Sequence, residues 1–340
     1  MKVQDTAIAA AKPHGLAVEK VRLKTSDRDR WADVACWLHY PDFRDLDAWK
    51  DFRASSVSLA QFFLPPAMKE ALDRFFAPDG NPALILENLP VDPNLPPIPT
   101  DGLRPENKQA VSESVITGIL SHWGEILSFF NEKSGSPIHE VTPVAGKETL
   151  QSNAGKVRFG FHSDNAFLPP FFRQAGILLY GLRNRNTATT VLTAEQILEA
   201  APPALAAKLA RPLFRHACPA SYSFEGQALF SAPRPILFRD ELGMARVTAA
   251  SSVIEPVEEE HRHALEEFRE LVDSLTPLRI VIGPGTALLF KDDRVLHGRD
   301  QVSGPRWLQR AYFTDSLELQ RWVTVSRPEA FAFDPRRLLD

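Results

Sequence analysis

The sequence predicts a mainly β protein with helical supports, organised as a jelly-roll-like barrel. From about residue 137 onward the chain breaks into short apolar or alternating runs separated by turns. It is rich in proline, with 28 in all, which favours many short elements over long ones. One or two helical stretches interrupt the strands, without the regular strand–helix alternation of a parallel doubly wound sheet. Neither G-x-G-x-x-G nor a Walker pattern occurs, so no nucleotide-binding sheet is expected.

The elements follow in chain order. DLDAWKDFRA and AMKEALDRFF space their apolar residues by three and four, as amphipathic helices do. Residues 1–80 therefore read as a mainly helical support. ALILENL is a buried strand, and VDPNLPPIPT is an extended connector. SESVITGILSHWGEILSFF predicts a helix of about five turns if it is continuous. VRFGFH alternates, AGILLYGLRN is almost wholly apolar and TATTVLT is β-branched, so all three read as strands. TAEQILEAAPPALAAKLARP is a helical insert that Thr193 can cap, and RHALEEFRELVDSL is an amphipathic helix. RIVIGPGTALLF gives two strands hinged at Gly283-Pro284-Gly285, and WLQRAYFTDSL is the last clear strand. One domain over 1–340 is expected, with the barrel core and its helical inserts in 83–325.

Composition narrows the function. Of 340 residues 44% are hydrophobic, enough for a large core, and the formal net charge of −4 leaves no footprint for nucleic acid or anionic lipid. Cys36 and Cys218 are the only cysteines, so no disulfide framework is implied and a reducing cytoplasm is expected. The apolar stretch near the N-terminus is too short for a signal-peptide core, and no run approaches the ~20 apolar residues of a membrane span. Oligomeric state is not legible.

The chemistry concentrates at GFHSDNAF. Side chains two apart on a strand share a face, so His162 and Asp164 stand side by side, about 6–7 Å apart at the backbone if the strand continues. Chance alone supplies such a pair in a chain of this composition, so a third ligand is needed. His139 reads as a loop residue without a partner, and His261 and His263 as solvent-facing. His297 is different: it follows a buried strand and a short acidic loop and precedes a glycine. His162, Asp164 and His297 make a two-histidine, one-carboxylate set, which leaves open positions on a bound metal. In GPRWLQRAYF, Arg306 and Arg310 share one strand face, where a buried guanidinium calls for a carboxylate. A zinc-dependent jelly-roll hydrolase or isomerase with the same three ligands, and a binding protein without turnover, are the competing readings.

FHSDNAF with PPFFRQAGILLYGLRN, TATTV, PGTALLFKDDRVLHGR and RWLQRAYF together resemble the taurine dioxygenase/clavaminate synthase superfamily of iron(II)/2-oxoglutarate-dependent oxygenases. Within it the closest likeness is to the clavaminate synthase-like amino-acid hydroxylases. The resemblance implies a double-stranded β-helix and hydroxylation of a free amino acid or small derivative. It implies Fe(II) held by His162, Asp164 and His297, with 2-oxoglutarate and O2 as cosubstrates; desaturation or cyclisation on the same scaffold stays open. It also implies that Arg310 binds the far carboxylate of 2-oxoglutarate, helped by Arg306 and by Thr190, with Thr189 as the next choice. Asn131, Ser152, Thr248 and Phe167 are the expected substrate-facing residues, and Phe171 and Phe172 either join that wall or pack the core. Asp164 stands where the amino-acid hydroxylases usually have glutamate. Halogenating relatives lack this carboxylate, so halogenation is disfavoured. Thr248, Ala249 and Ala250 supply no acid where arginine-hydroxylating relatives have one, so a strongly basic substrate is not expected.

Overall fold

The computed structural model describes residues 18–218, 229–250 and 253–339. It opens with a strand that composition did not announce, β1 (Glu19–Arg22), followed by α1 (Thr25–Ala35), α2 (Leu46–Phe63) and α3 (Pro66–Phe76). The N-terminal support is therefore not helical throughout, because β1 pairs in parallel with β2 (Ala83–Glu87). Helix α4 (Val111–Trp123) also departs from expectation. It stops at Gly124, and the chain continues as β3 (Glu125–Phe129). A Cβ on Gly124 would lie 2.7 Å from the Thr314 carbonyl oxygen, so this position must be bare for β3 to reach its neighbour.

Next come β4 (His139–Val141), β5 (Phe159–His162), β6 (Gly176–Asn184) and β7 (Ala188–Thr193). The helical insert divides at Pro202-Pro203 into α5 (Ala194–Ala200) and α6 (Pro203–Leu209). Thr193 caps α5 reciprocally with Gln196. Four short strands follow, β8 (Phe214–His216), β9 (Leu237–Arg239), β10 (Ala245–Val247) and β11 (Ile254–Pro256), and then α7 (Arg262–Ser274). The hinged pair is β12 (Leu278–Val281) and β13 (Ala287–Lys291). His297 lies within a strand of its own, β14 (Val295–Arg299), and not in a loop beyond one. The chain ends with β15 (Arg306–Thr314), α8 (Glu318–Thr324) and β16 (Ala332–Phe333).

Two sheets dominate. The larger runs β1-β2-β13-β6-β15-β3-β16 with β4 also on β15, and the smaller runs β12-β7-β14-β5. Alternation in the smaller sheet divides its side chains cleanly. Val191, Ile280 and Val295 join the core built by the larger sheet, whereas Phe161, Leu192 and Leu296 join a second core with α5, α6 and α7. His297 and Arg299 follow the parity of Val295 and face inward, between the sheets. Among the described residues, no helix is long and apolar enough to cross a membrane.

Behind the larger sheet lies a buried ionic cluster. Lys108 Nζ donates to Asp92 Oδ2 (3.0 Å), Ser112 Oγ (2.8 Å) and Glu113 Oε2 (2.6 Å). Arg104 Nε donates to Glu113 Oε1 at 2.7 Å. Gln309 Nε2 bridges Glu113 Oε1 (3.1 Å) and Glu140 Oε1 (2.9 Å), tying the cluster to β15 and β4. Burial opposes ionisation of Glu113, but Lys108 and Arg104 outweigh it and hold its pKa below the usual value. Lys108→Met would leave buried Asp92 without its cation and Glu113 with Arg104 alone, so urea unfolding should show a loss of about 3–5 kcal/mol.

Candidate metal centre

His162 ends β5, and the chain turns immediately after it. Asp164 thus reaches the site from a turn, and not from a continuing strand, ahead of Asn165 in a left-handed conformation (φ 52°). The histidines meet across the sheet, because His297 pairs directly with His162. His162 Nε2 lies 3.3 Å from Asp164 Oδ1, and His297 Nε2 lies 3.9 Å from the same oxygen. One ligand atom from each residue falls within 4.8 Å of the other two.

The register slips by one between His297 and Arg299, so that Arg299 faces Phe159. This bulge lets His162 Nδ1 donate to Gly160 O (2.8 Å), which leaves Nε2 free to ligate. Gly298 is required there, since a Cβ would come within 2.8 Å of the Phe159 oxygen. Burial, reinforced by the nearby charges of His162 and Arg310, lowers the His297 pKa to about 3, so its imidazole is neutral. Burial works against the Asp164 carboxylate, yet Arg310 and the two histidines hold it well below the usual range. Two imidazoles and one carboxylate, with no thiolate, suit a divalent iron that keeps open positions.

Residues absent from the sequence reading fix this set. His297 Nδ1 faces Asp292 Oδ1 at 3.6 Å, and among the described residues neither atom has a hydrogen-bond partner. Gln174 Nε2 donates to the other Asp292 oxygen (2.7 Å) and to the backbone oxygen of Asp164 (2.9 Å). Its Oε1 accepts from Asn165 Nδ2 at 2.9 Å. One amide therefore holds both ligand-bearing segments. The sequence signal was thin, an acidic pair five and four residues before His297.

Beside the triad opens a cavity of about 750 Å³ whose walls include Asn131, Glu132, Ser152, Asp164, Phe167 and Arg310. Of the expected substrate-facing residues, Asn131, Ser152 and Phe167 line it. Thr248 does not: it is buried away from the cavity, its hydroxyl accepting from both terminal nitrogens of Arg173 (3.2 Å each). The cavity meets Ala250 instead. Phe172 packs inward while Phe171 is exposed.

The two arginines of β15 have different surroundings. Arg310 Nη1 donates to Asp164 Oδ2 (2.8 Å), and Nη2 donates to Glu132 Oε1 and to His139 Nδ1 (2.9 Å). His139 is accordingly a buried strand residue with a partner, not a lone loop residue. The Tyr312 hydroxyl donates to Asp164 Oδ2 at 2.9 Å and reaches Glu132 Oε2 at 3.2 Å. Burial opposes the Glu132 charge, but Arg310 and His139 bring its pKa down to about 2. Arg306 is the contrasting case. It is 4% exposed, and its Nε and Nη1 have no partner among the described residues. Burial, aided by the charge of Arg299, lowers its pKa to about 9. Thr190 pairs with Gly298 and shares the face of Leu192, toward the helices. Thr189, paired with Arg299, faces inward. The choice between adjacent threonines turns on strand parity.

No family model matches the chain. An L-asparagine oxygenase from Streptomyces coelicolor (strain ATCC BAA-471 / A3(2) / M145) is 30% identical over 254 residues, 72% of this chain and 74% of that protein. Clavaminate synthase 2 from Streptomyces clavuligerus is 25% identical over 295 residues, 81% and 87% of the two chains. An asparagine oxygenase solved with Fe(II), 2S,3S-3-hydroxyasparagine and succinate superposes with a TM-score of 0.79 at 25% identity, covering 92% of this chain and 98% of that one. The non-heme iron oxygenase OrfP, solved with Fe and alpha-ketoglutaric acid, is alike in fold, with a TM-score of 0.75 at 21% identity over 94% and 100%. Asp292→Asn, which cannot serve His297 as the carboxylate does, should weaken iron(II) binding about 10–100-fold in a titration, with little change in melting temperature.

Proposed function

The chain belongs to the clavaminate synthase-like branch of the iron(II)- and 2-oxoglutarate-dependent oxygenases, and on that premise we propose that it hydroxylates an unactivated C–H of a free α-amino acid or close derivative. Iron(II), 2-oxoglutarate and O2 are its cofactor and cosubstrates. Together they supply the oxidant for C–H hydroxylation as 2-oxoglutarate becomes succinate and carbon dioxide. We read the two sheets as the halves of a double-stranded β-helix, a reading supported by the likeness to asparagine oxygenase. We assign the protein to the cytoplasm, in keeping with its two free cysteines.

One observation carries the substrate reading: Arg310 and Glu132 stand as a cation–anion pair in the cavity wall, touching Asp164. A zwitterionic amino acid brings the complementary pair. Its α-carboxylate replaces Glu132 as partner of Arg310, and its α-ammonium takes Glu132, with no net charge buried. Asn131, next in sequence to Glu132, adds an amide at the same wall. The asparagine oxygenase relative acts on a neutral side chain by its name, and OrfP has been solved with hydroxylated L-Arg. Here a neutral side chain is favoured: Glu132 is taken by the α-ammonium, Asp164 is engaged by Arg310, Glu140 at the wall already accepts from Gln309 and Trp307, and Ala249 and Ala250 offer no acid. Arg306, with buried N–H groups that have no partner among the described residues, is the better clamp for the far carboxylate of 2-oxoglutarate, and Thr189 the better helper. His162, Asp164 and His297 would hold the iron, and Gln174 and Asp292 would keep those ligands oriented.

An anaerobic titration with iron(II) and 2-oxoglutarate should give the visible charge-transfer band of the chelate, and a screen of amino acids should then find one that drives stoichiometric succinate release. His162→Ala and His297→Ala should abolish both signals. Arg306→Met should raise the 2-oxoglutarate KM about 10–100-fold, whereas Glu132→Gln should raise the amino-acid KM by a similar factor and leave 2-oxoglutarate binding nearly unchanged. The reverse pattern would return the clamp to Arg310.

A further inference from the structure

Arg299 lies two residues beyond His297 on β14 and is 4% exposed. No carboxylate meets its guanidinium among the described residues, since the carboxylate of neighbouring Asp300 is taken by Arg279. Its charge is spent on backbone oxygens. Nη2 donates to Val157 O (3.0 Å), Gly155 O (3.1 Å) and Ser152 O (3.3 Å), while Nη1 reaches Asp300 O (3.1 Å) and Lys156 O (3.5 Å). Four of the five acceptors belong to segment 152–157, and Ser152, Asn153 and Ala154 of that segment wall the cavity.

The rest of the molecule holds this segment weakly. Within it and its approach, turns close on themselves, as when Val144 N donates to Ala154 O (2.8 Å) and Lys156 N to Glu148 O (2.7 Å). From the body, the described residues add one backbone bond, Val302 N to Lys156 O (2.7 Å). A planar fork with several donors can gather carbonyls that diverge in direction, which a single ammonium does less well. An apolar residue would leave the Gly155 and Val157 oxygens without a donor among the described residues.

We propose that Arg299 is a positioning residue that fastens the 150–157 wall of the substrate cavity to the strand bearing His297. The wall and the metal ligand are then set by one element, β14, whose regular alternation turns His297 and Arg299 to the same side. This rests on the cavity being the amino-acid site.

Hydrogen exchange on the whole protein, metal-free and with iron(II) and 2-oxoglutarate, tests it. Arg299→Gln should speed exchange of amides in 150–157 at least tenfold in both states. The charge-transfer band should keep its position, and the amino-acid KM should rise about tenfold or more, with a smaller effect on kcat. Arg299→Lys, which keeps the charge and part of the bonding, should fall between, so the proposal stands testable even if the Gln variant folds poorly. Unchanged exchange in 150–157 would overturn the proposal, as would faster exchange with an unaltered KM. Loss of the band would also overturn it, because Arg299 would then act at the metal. Failure of the cavity as the amino-acid site would register separately, as a Glu132→Gln variant with unaltered KM.

Discussion

A guanidinium held between two carboxylates organises the cavity. Arg310 alone would be a buried cation, and Asp164 and Glu132 alone would be buried anions; side by side they make a low-energy arrangement that still exposes charge to an incoming ligand. Tyr312 closes the group by touching both acids. Because Asp164 Oδ2 is occupied by Arg310 and Tyr312, its Oδ1 is the oxygen left toward the histidines. In the proposed site, substrate recognition and metal ligation would share one carboxylate, a coupling that a longer glutamate arm would arrange differently.

The same logic operates behind the sheet. Gln309 alternates with Arg310 on β15, so one side chain points to the cavity and the next to the ionic cluster around Lys108 and Glu113. Glu140 accepts from Gln309 and from the Trp307 indole, and burial with the Glu113 charge raises its pKa to about 7. Strand β15 is therefore braced from one side by hydrogen bonds to buried carboxylates and turned to the cavity on the other. The strand carrying Arg306 and Arg310 is consequently tied from behind to the ionic cluster.

Much of this was legible in the chain. The His-x-Asp pair, the later histidine before glycine and the strand with two inward arginines are local patterns tied to period-two geometry, and each falls where the site forms. What escaped depended on distance or on a single-residue slip. The bulge at Gly160 and Gly298, the face of Thr189 against that of Thr190, and the partners that distinguish Arg310 from Arg306 follow from strand pairing, which periodicity alone does not fix. Glu132 sat one residue from Asn131, but nothing local marks a carboxylate that meets an arginine 178 positions away. The early end of α4 had a similar origin: helical propensity runs on past Gly124, and contact with β15 overrides it.

Strand β1 has a practical bearing. It sits at the rim of the larger sheet and saturates the backbone groups of β2 from one side. A shortened protein that began after Arg22 would leave β2 as a bare, apolar, fully formed ribbon open to other molecules, the arrangement most prone to intermolecular pairing. Truncation from the N-terminus, however dispensable those residues look beside the chemistry, would be felt first as loss of solubility.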